Sequence, residues 1–255
     1  MTVYRQLRAA ARICYFNGLL PLWRSPILVM AVFLTPFSFL FFLFVIERSA
    51  GGGLLATGVV GGVLFTILFT GNGMLNDCAY LRLERQLQQV FVASPVRSFT
   101  YVLGMALSEL AFALPATVLF LGILVVVHPY GVGALGVLVG VLLLTWLMAT
   151  TLGFLISTFF RQQREIWAIA TLIFSVLSII PPLFYPIAEI PAAYRWVAFL
   201  SPSTYSGQLA EWAVGLNRGP VTPGWLGAPA VDFVVLVGVT VLFSVAATFL
   251  ARWRE

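Results

Sequence analysis

Long apolar runs broken by short polar ones give this chain its pattern. Positions 26–46 hold 21 residues without a charge. Wound as a helix at about 1.5 Å per residue, that run covers ~31 Å, the thickness of a bilayer's hydrocarbon core. Further long apolar runs occupy positions 54–75, 101–127, 132–159, 166–184 and 230–250. The pattern predicts an all-α membrane protein with six transmembrane helices. The glycines at 51–53 and His128-Pro129-Tyr130-Gly131 read as tight turns, and Arg161-Gln162-Gln163-Arg164-Glu165 as a short polar loop. Pro181-Pro182 breaks the fifth run near its end.

Three segments are neither apolar runs nor simple turns. Residues 1–25 carry Arg5, Arg8 and Arg12, with Val3, Leu7, Ala11 and Cys14 at helical spacing between them. That spacing reads as an interfacial amphipathic helix; the plainer alternative is a basic tail. In residues 80–98, Tyr80, Leu83, Leu87, Val90 and Phe91 form one apolar stripe, with Arg82, Arg85, Gln86 and Gln89 opposite. Ser94-Pro95 then stops the helix, because proline disfavours helical geometry in the residue before it. Such a helix either links two spans along the interface or docks a soluble partner. In residues 185–212, Ile190, Ala193, Trp196, Val197 and Leu200 recur at helical spacing, interrupted by Pro186, Pro191 and Pro202.

Charge then orients the chain. Only 9% of its residues are charged and 61% are apolar, with a mean hydropathy of +1.02. A soluble domain keeps about 25% charged. The net charge is +5, and every one of the 14 basic residues is an arginine. Six spans put both termini on one side. Arg5, Arg8, Arg12, Arg24, Arg82, Arg85, Arg97, Arg161, Arg164, Arg252 and Arg254 fall there; Arg48, Arg195 and Arg218 do not. Arginine accumulates on cytoplasmic loops, so both termini are expected in the cytoplasm, in a plasma or inner membrane. The 80–98 segment is then cytoplasmic and 185–212 external. A cleaved leader is not expected, because Arg48 would sit where cleavage after Ala50 needs a small residue. Nucleic acid is not an expected partner; the basic balance reports topology.

Chemistry is constrained by what is scarce. Without lysine the chain holds no Walker A loop and no Schiff-base lysine. Cys14 and Cys78 fall on the expected reducing side and at no metal-binding spacing. With one histidine and nine acidic residues, an intrinsic membrane enzyme is not expected. Glu109 is the main polar candidate inside a span, since burying such a group is costly. It either faces a pathway or pairs with an arginine at the cytoplasmic edge. Asn72, Asn76 and Asp77 are expected to hydrogen-bond between helices. His128, in an outer turn, reads as incidental. Gly58/Gly62 and Gly136/Gly140 are small pairs that permit close helix approach.

Two stretches resemble a known family. "LERQLQQVFVASPVRSFTYVLG" is similar to the cytoplasmic loop of type-2 ATP-binding-cassette permeases. "PPLFYPIAEIPAAYRWVAFLSPSTYSGQLAEW" is similar to their segment before the last span, and the daunorubicin-resistance-type permeases are the nearest subgroup. The resemblance implies a single transmembrane domain over 1–255, working as a dimer in the lipid bilayer, a homodimer or paired with a similar chain. It implies separate ATPase subunits that bind ATP and Mg, with no cofactor on this chain. Glu84, Arg85, Gln88, Val92, Ser94 and Pro95 would form the coupling helix that seats in the ATPase. Pro186, Glu189, Pro191, Trp196, Pro202 and Tyr205 would belong to short re-entrant helices over 185–212 that close the outer mouth; an ordinary external loop is the alternative. The function expected is export of a hydrophobic or amphipathic substrate: a drug, a lipid or a lipid-linked glycan. A secondary transporter and a non-transporting membrane assembly protein are the rival expectations.

Overall fold

The computed structural model describes residues 3–50, 54–84, 96–216 and 228–250. Among them every regular element is helical. Helix α1 (Val3–Cys14) passes through a π-helical turn (Tyr15–Leu19) into α2 (Leu20–Arg24). Then come α3 (Pro26–Ala50), α4 (Leu54–Leu83), α5 (Ser98–Val127), α6 (Val132–Ser157) and α7 (Gln163–Ile179). Two 3-10 turns (Ile187–Glu189 and Ala192–Tyr194) lead to the single-turn α8 (Arg195–Ala198), α9 (Pro202–Ala213) and α10 (Pro229–Leu250).

Among the described residues, four helices are long and apolar enough to cross a membrane: α4 over Leu55–Leu83, α5, α6, and α10 over Pro229–Phe249. They are apolar all round, as membrane helices are. The chain is a multi-pass membrane protein. Helices α3 and α7 stand where the first and fifth apolar runs were expected.

The bundle is built around α4. It is buried along nearly its whole length, whereas α5, α6 and α10 bury one side. Helices α5, α6 and α7 all pack on it. Leu64, Leu68 and Leu75 of α4 meet Phe120 and Leu124 of α5, Leu138 and Met148 of α6 and Phe174 of α7 in one core. Where α4 crosses α6 the two backbones touch. A Cβ on Gly153 would collide with the carbonyl of Gly71. Gly62 lies against the Phe120 ring, while Gly136 and Gly140 have no neighbour packed on them among the described residues.

Several boundaries move. The second helix was expected to end at 75, yet α4 runs on to Leu83. The helix continues through its polar residues Asn72, Asn76 and Asp77, and Asn76 Oδ1 is buried without a hydrogen-bond partner among the described residues. The third helix starts at Ser98, ahead of the expected 101, and the fourth ends at Ser157, short of 159. The fifth ends at Ile179, with Ile180 still helical in φ and ψ as its C-cap, because Pro181 and Pro182 have no N–H to continue the ladder. Helical spacing over 190–200 yields only the Ala192–Tyr194 turn and the four-residue α8, because Pro191 and Pro202 bound too short a stretch to propagate. The expected 80–98 helix is not one unit at its ends. Tyr80 to Leu83 are the last turn of α4, Glu84 is a turn, Val96 and Arg97 are extended, and Ser98 opens α5.

Candidate functional site

The C-termini of α4 and α6 and the N-termini of α1, α5 and α7 meet at one end of the bundle, rich in arginine. Two polar side chains hold the stems of the 80–98 segment there. The first is Arg82, in the last turn of α4. It was expected on the water-facing side, but it turns inward and caps α6. Its Nη1 donates to the carbonyl of Thr158 at 3.1 Å. Its Nη2 donates to the carbonyls of Ser157 and Phe160, both at 2.6 Å. The last carbonyls of a helix lack intrahelical partners and carry its negative dipole end. A planar guanidinium with five donors suits that array.

The second is Gln6 of α1. Its Oε1 accepts from the backbone N–H of Arg97 at 3.2 Å and from Thr100 Oγ1 at 2.6 Å. Arg97 is the N-cap residue of α5, and its own side chain caps nothing. A residue from another helix thus does the capping. Gln6 and Ala10 are the buried positions of α1. Gly104 of α5 lies against Ile13, and Gly18 lies against the Ser108 backbone. Val3, Tyr4 and Leu7 are exposed on a second face, and Arg5, Arg8 and Arg12 are exposed on a third. The apolar stripe of α1 therefore turns away from the bundle. Cys14, half-buried at the end of α1, has its thiol pKa pushed up by that burial.

Of the expected coupling residues, Glu84 is exposed and its N–H closes the last turn on the Tyr80 carbonyl at 3.0 Å. Arg85, Gln88, Val92, Ser94 and Pro95 lie outside the described residues.

Further inside, Glu109 is buried against Gly73, whose missing Cβ leaves room for the carboxyl group. Its hydrogen-bond partner is Asp77 of α4, not an arginine. Asn76 turns back within its own helix instead of bridging two, with Nδ2 donating to the carbonyl of Asn72 at 2.9 Å. Cys78 is buried beside Met74 and Tyr101, so both cysteines are free thiols.

The other end is stitched by hydroxyls. In Ser201-Pro202-Ser203-Thr204-Tyr205, Ser203 Oγ donates to the carbonyl of Leu177 near the end of α7 at 2.5 Å. Thr204 Oγ1 donates to the carbonyl of Ala198, and Tyr205 OH to that of Phe199 at 3.0 Å. Arg195 folds back on the preceding turns, with Nε donating to Ile190 O at 2.8 Å and Nη2 to Ala188 O at 2.9 Å. Pro186 and Pro191 precede the two 3-10 turns, and Pro202 starts α9. Glu189 and Trp196 are exposed. Helix α9 packs between α6 and α10, and Thr145, midway along α6, donates to Ser206 Oγ at 3.0 Å. His128 is not incidental, since its Nε2 meets the carbonyl of Val214 at 3.0 Å and ties the α5–α6 turn to the end of α9. Gln208, Glu211 and Asp232 are buried where α9 meets α10. Burial, and then the nearby Asp232 carboxylate, raise the Tyr205 phenol pKa.

Sequence reasoning missed Gln6, Arg82, Gln208, Glu211 and Asp232. The only signal for the last three was a polar residue inside a helical apolar pattern.

No curated protein matches the chain. The model of the ABC-2 type transporter family matches residues 10–213, from within α1 to the last residue of α9. That is about four-fifths of the sequence and takes in both stems, the acidic pair and the hydroxyl-stitched segment. This multi-pass helical chain therefore belongs to the ABC-2 type transporter family.

Proposed function

We propose that the chain is the membrane permease subunit of an ABC exporter, moving a hydrophobic or amphipathic cargo such as a drug, a lipid or a lipid-linked glycan. The observation that carries this reading is the family match over 10–213. The residue patterns at 83–104 and 181–212 favour the drug-permease subgroup. Two copies line the pathway, each with six spans and cytoplasmic termini, in the cell membrane. ATP and Mg belong to separate ATPase subunits, which seat against residues 80–98. Support for that seat comes from its stems: both are fixed by hydrogen bonds to other helices, so a push there is not dissipated. Residues 185–212 close the outer mouth as a re-entrant segment. The bond from mid-α6 to Ser206 and the capped turns around Arg195 and Ser203 support this, since non-helical backbone at membrane depth must be covered by protein. Exposed Trp196 and Leu200 suit the interface with lipid headgroups.

The test is to co-purify the chain with its soluble partners and measure ATP-dependent, vanadate-sensitive transport in vesicles. Glu84→Arg should abolish the coupling of hydrolysis to transport while insertion and folding persist. Full-rate transport by that variant would remove the docking assignment. One observation favours a second reading: Asp77 and Glu109 form the kind of acidic pair an ion-coupled secondary transporter uses. Transport that runs without ATP and collapses with a protonophore would select it.

A further inference from the structure

Six of the carbonyls from Phe154 to Phe160, at the end of α6 and in the turn after it, have identified donors. Ser157 Oγ donates to Phe154 O at 2.6 Å. Thr158 Oγ1 donates to Leu155 O at 2.7 Å, and the Phe159 N–H to Ile156 O at 3.1 Å. Those of Ser157, Thr158 and Phe160 are all taken by Arg82. A single side chain from α4 thus completes the cap of α6 and the turn leading into α7.

From this geometry we infer that Arg82 is a positioning residue. It locks the last turn of α4 to the α6–α7 turn, so that a displacement applied beyond Glu84 is delivered to α6 and α7. The inference rests on the permease reading for its role in transport; the lock itself does not depend on that reading. A guanidinium spans three acceptors, whereas an ammonium is a point charge that reaches fewer of them. Arg82→Lys should therefore lie between the native residue and Arg82→Ala.

The functional test uses the complete complex in proteoliposomes. Arg82→Ala should lower transport per ATP hydrolysed roughly tenfold, the scale of one net charge-assisted hydrogen bond. ATPase activity should persist, and Arg82→Lys should restore part of the ratio. An unchanged ratio, or equal loss of transport and hydrolysis, would overturn the role. The structural test has one arm on the chain alone in detergent, which needs no ATPase, and one on the nucleotide-trapped complex. Tyr80 and Arg161 are both exposed, and spin labels there, with Cys14 and Cys78 replaced, report the separation of the two elements. In native Arg82 the distance distribution should be narrow, and in the trapped complex unchanged; with Arg82→Lys or Arg82→Ala it should broaden. Identical distributions with and without the guanidinium, or a distance that changes on nucleotide trapping, would overturn the lock. If the wild-type complex shows no ATP dependence, the permease reading fails, and the detergent measurement still decides the lock.

Discussion

A carboxyl group inside an apolar bundle must find a partner, and Glu109 finds one across a helix crossing. Gly73 leaves the space and Asp77 supplies the hydrogen bond. A glutamine there keeps the size and offers an amide donor to Asp77 without needing a proton. Glu109→Gln should therefore unfold at nearly the native temperature in detergent. Glu109→Leu removes the partner and leaves the half-buried Asp77 without it, which costs about 1 kcal/mol and should show as a lower unfolding temperature. Equal stability of the two variants would mean the pair contributes nothing. The residue scale is where the sequence was least legible. Glu109 stood out because a charge in an apolar run is conspicuous, but nothing in one sequence names Asp77 as its partner. Arg82 was misassigned because a helical wheel separates polar from apolar faces, and polar faces usually meet water. Here the polar face meets carbonyls that a helix end cannot satisfy alone.

At the scale of elements, long uniform apolar runs were readable because only helices and closed barrels satisfy their own backbone in lipid, and a barrel strand needs only about ten residues where these runs hold about twenty or more. Their ends were not. Asn72, Asn76 and Asp77 read as the close of the second run, yet α4 continues through all three to Leu83. Pro181-Pro182 ends α7 earlier than hydropathy does, and prolines cut 190–200 into single turns. Helix α1 was readable as amphipathic, but its seat was not: Gln6 and Ala10 face α5 while Val3 and Leu7 point outward. That arrangement leaves α1 held chiefly by one polar contact and close packing at Gly18 and Gly104. Gln6→Ala removes the acceptor for Arg97 N–H and Thr100 Oγ1. The loss is that of a helix N-cap, about 1 kcal/mol. Trypsin should then cut at Arg8 and Arg12 several times faster, with the rest of the bundle unaffected; unchanged cleavage would assign the hold on α1 to packing alone.

For the whole molecule, the layout that composition and arginine distribution predict is testable independently of transport. Glu84 and Arg161 lie at the arginine-rich end, and Glu189 and Trp196 lie on the opposite segment; all four are exposed. Single cysteines at the first pair should react with an impermeant maleimide only after the membrane is opened, and at the second pair in intact cells. Labelling of all four from one side would refute six spans with cytoplasmic termini. The close approach of Gly153 to the Gly71 carbonyl acts as a pivot for α6. Gly153 divides α6 unequally, with four residues to Ser157 and 21 back to Val132. These are lever arms of roughly 6 and 32 Å. Because Arg82 fastens the short arm to the last turn of α4, the two helices tilt together, and a tilt that moves their joined ends by about 1 Å swings the far end of a rigid α6 by roughly 5 Å the opposite way. Small travel at one face of the membrane is thereby amplified at the other.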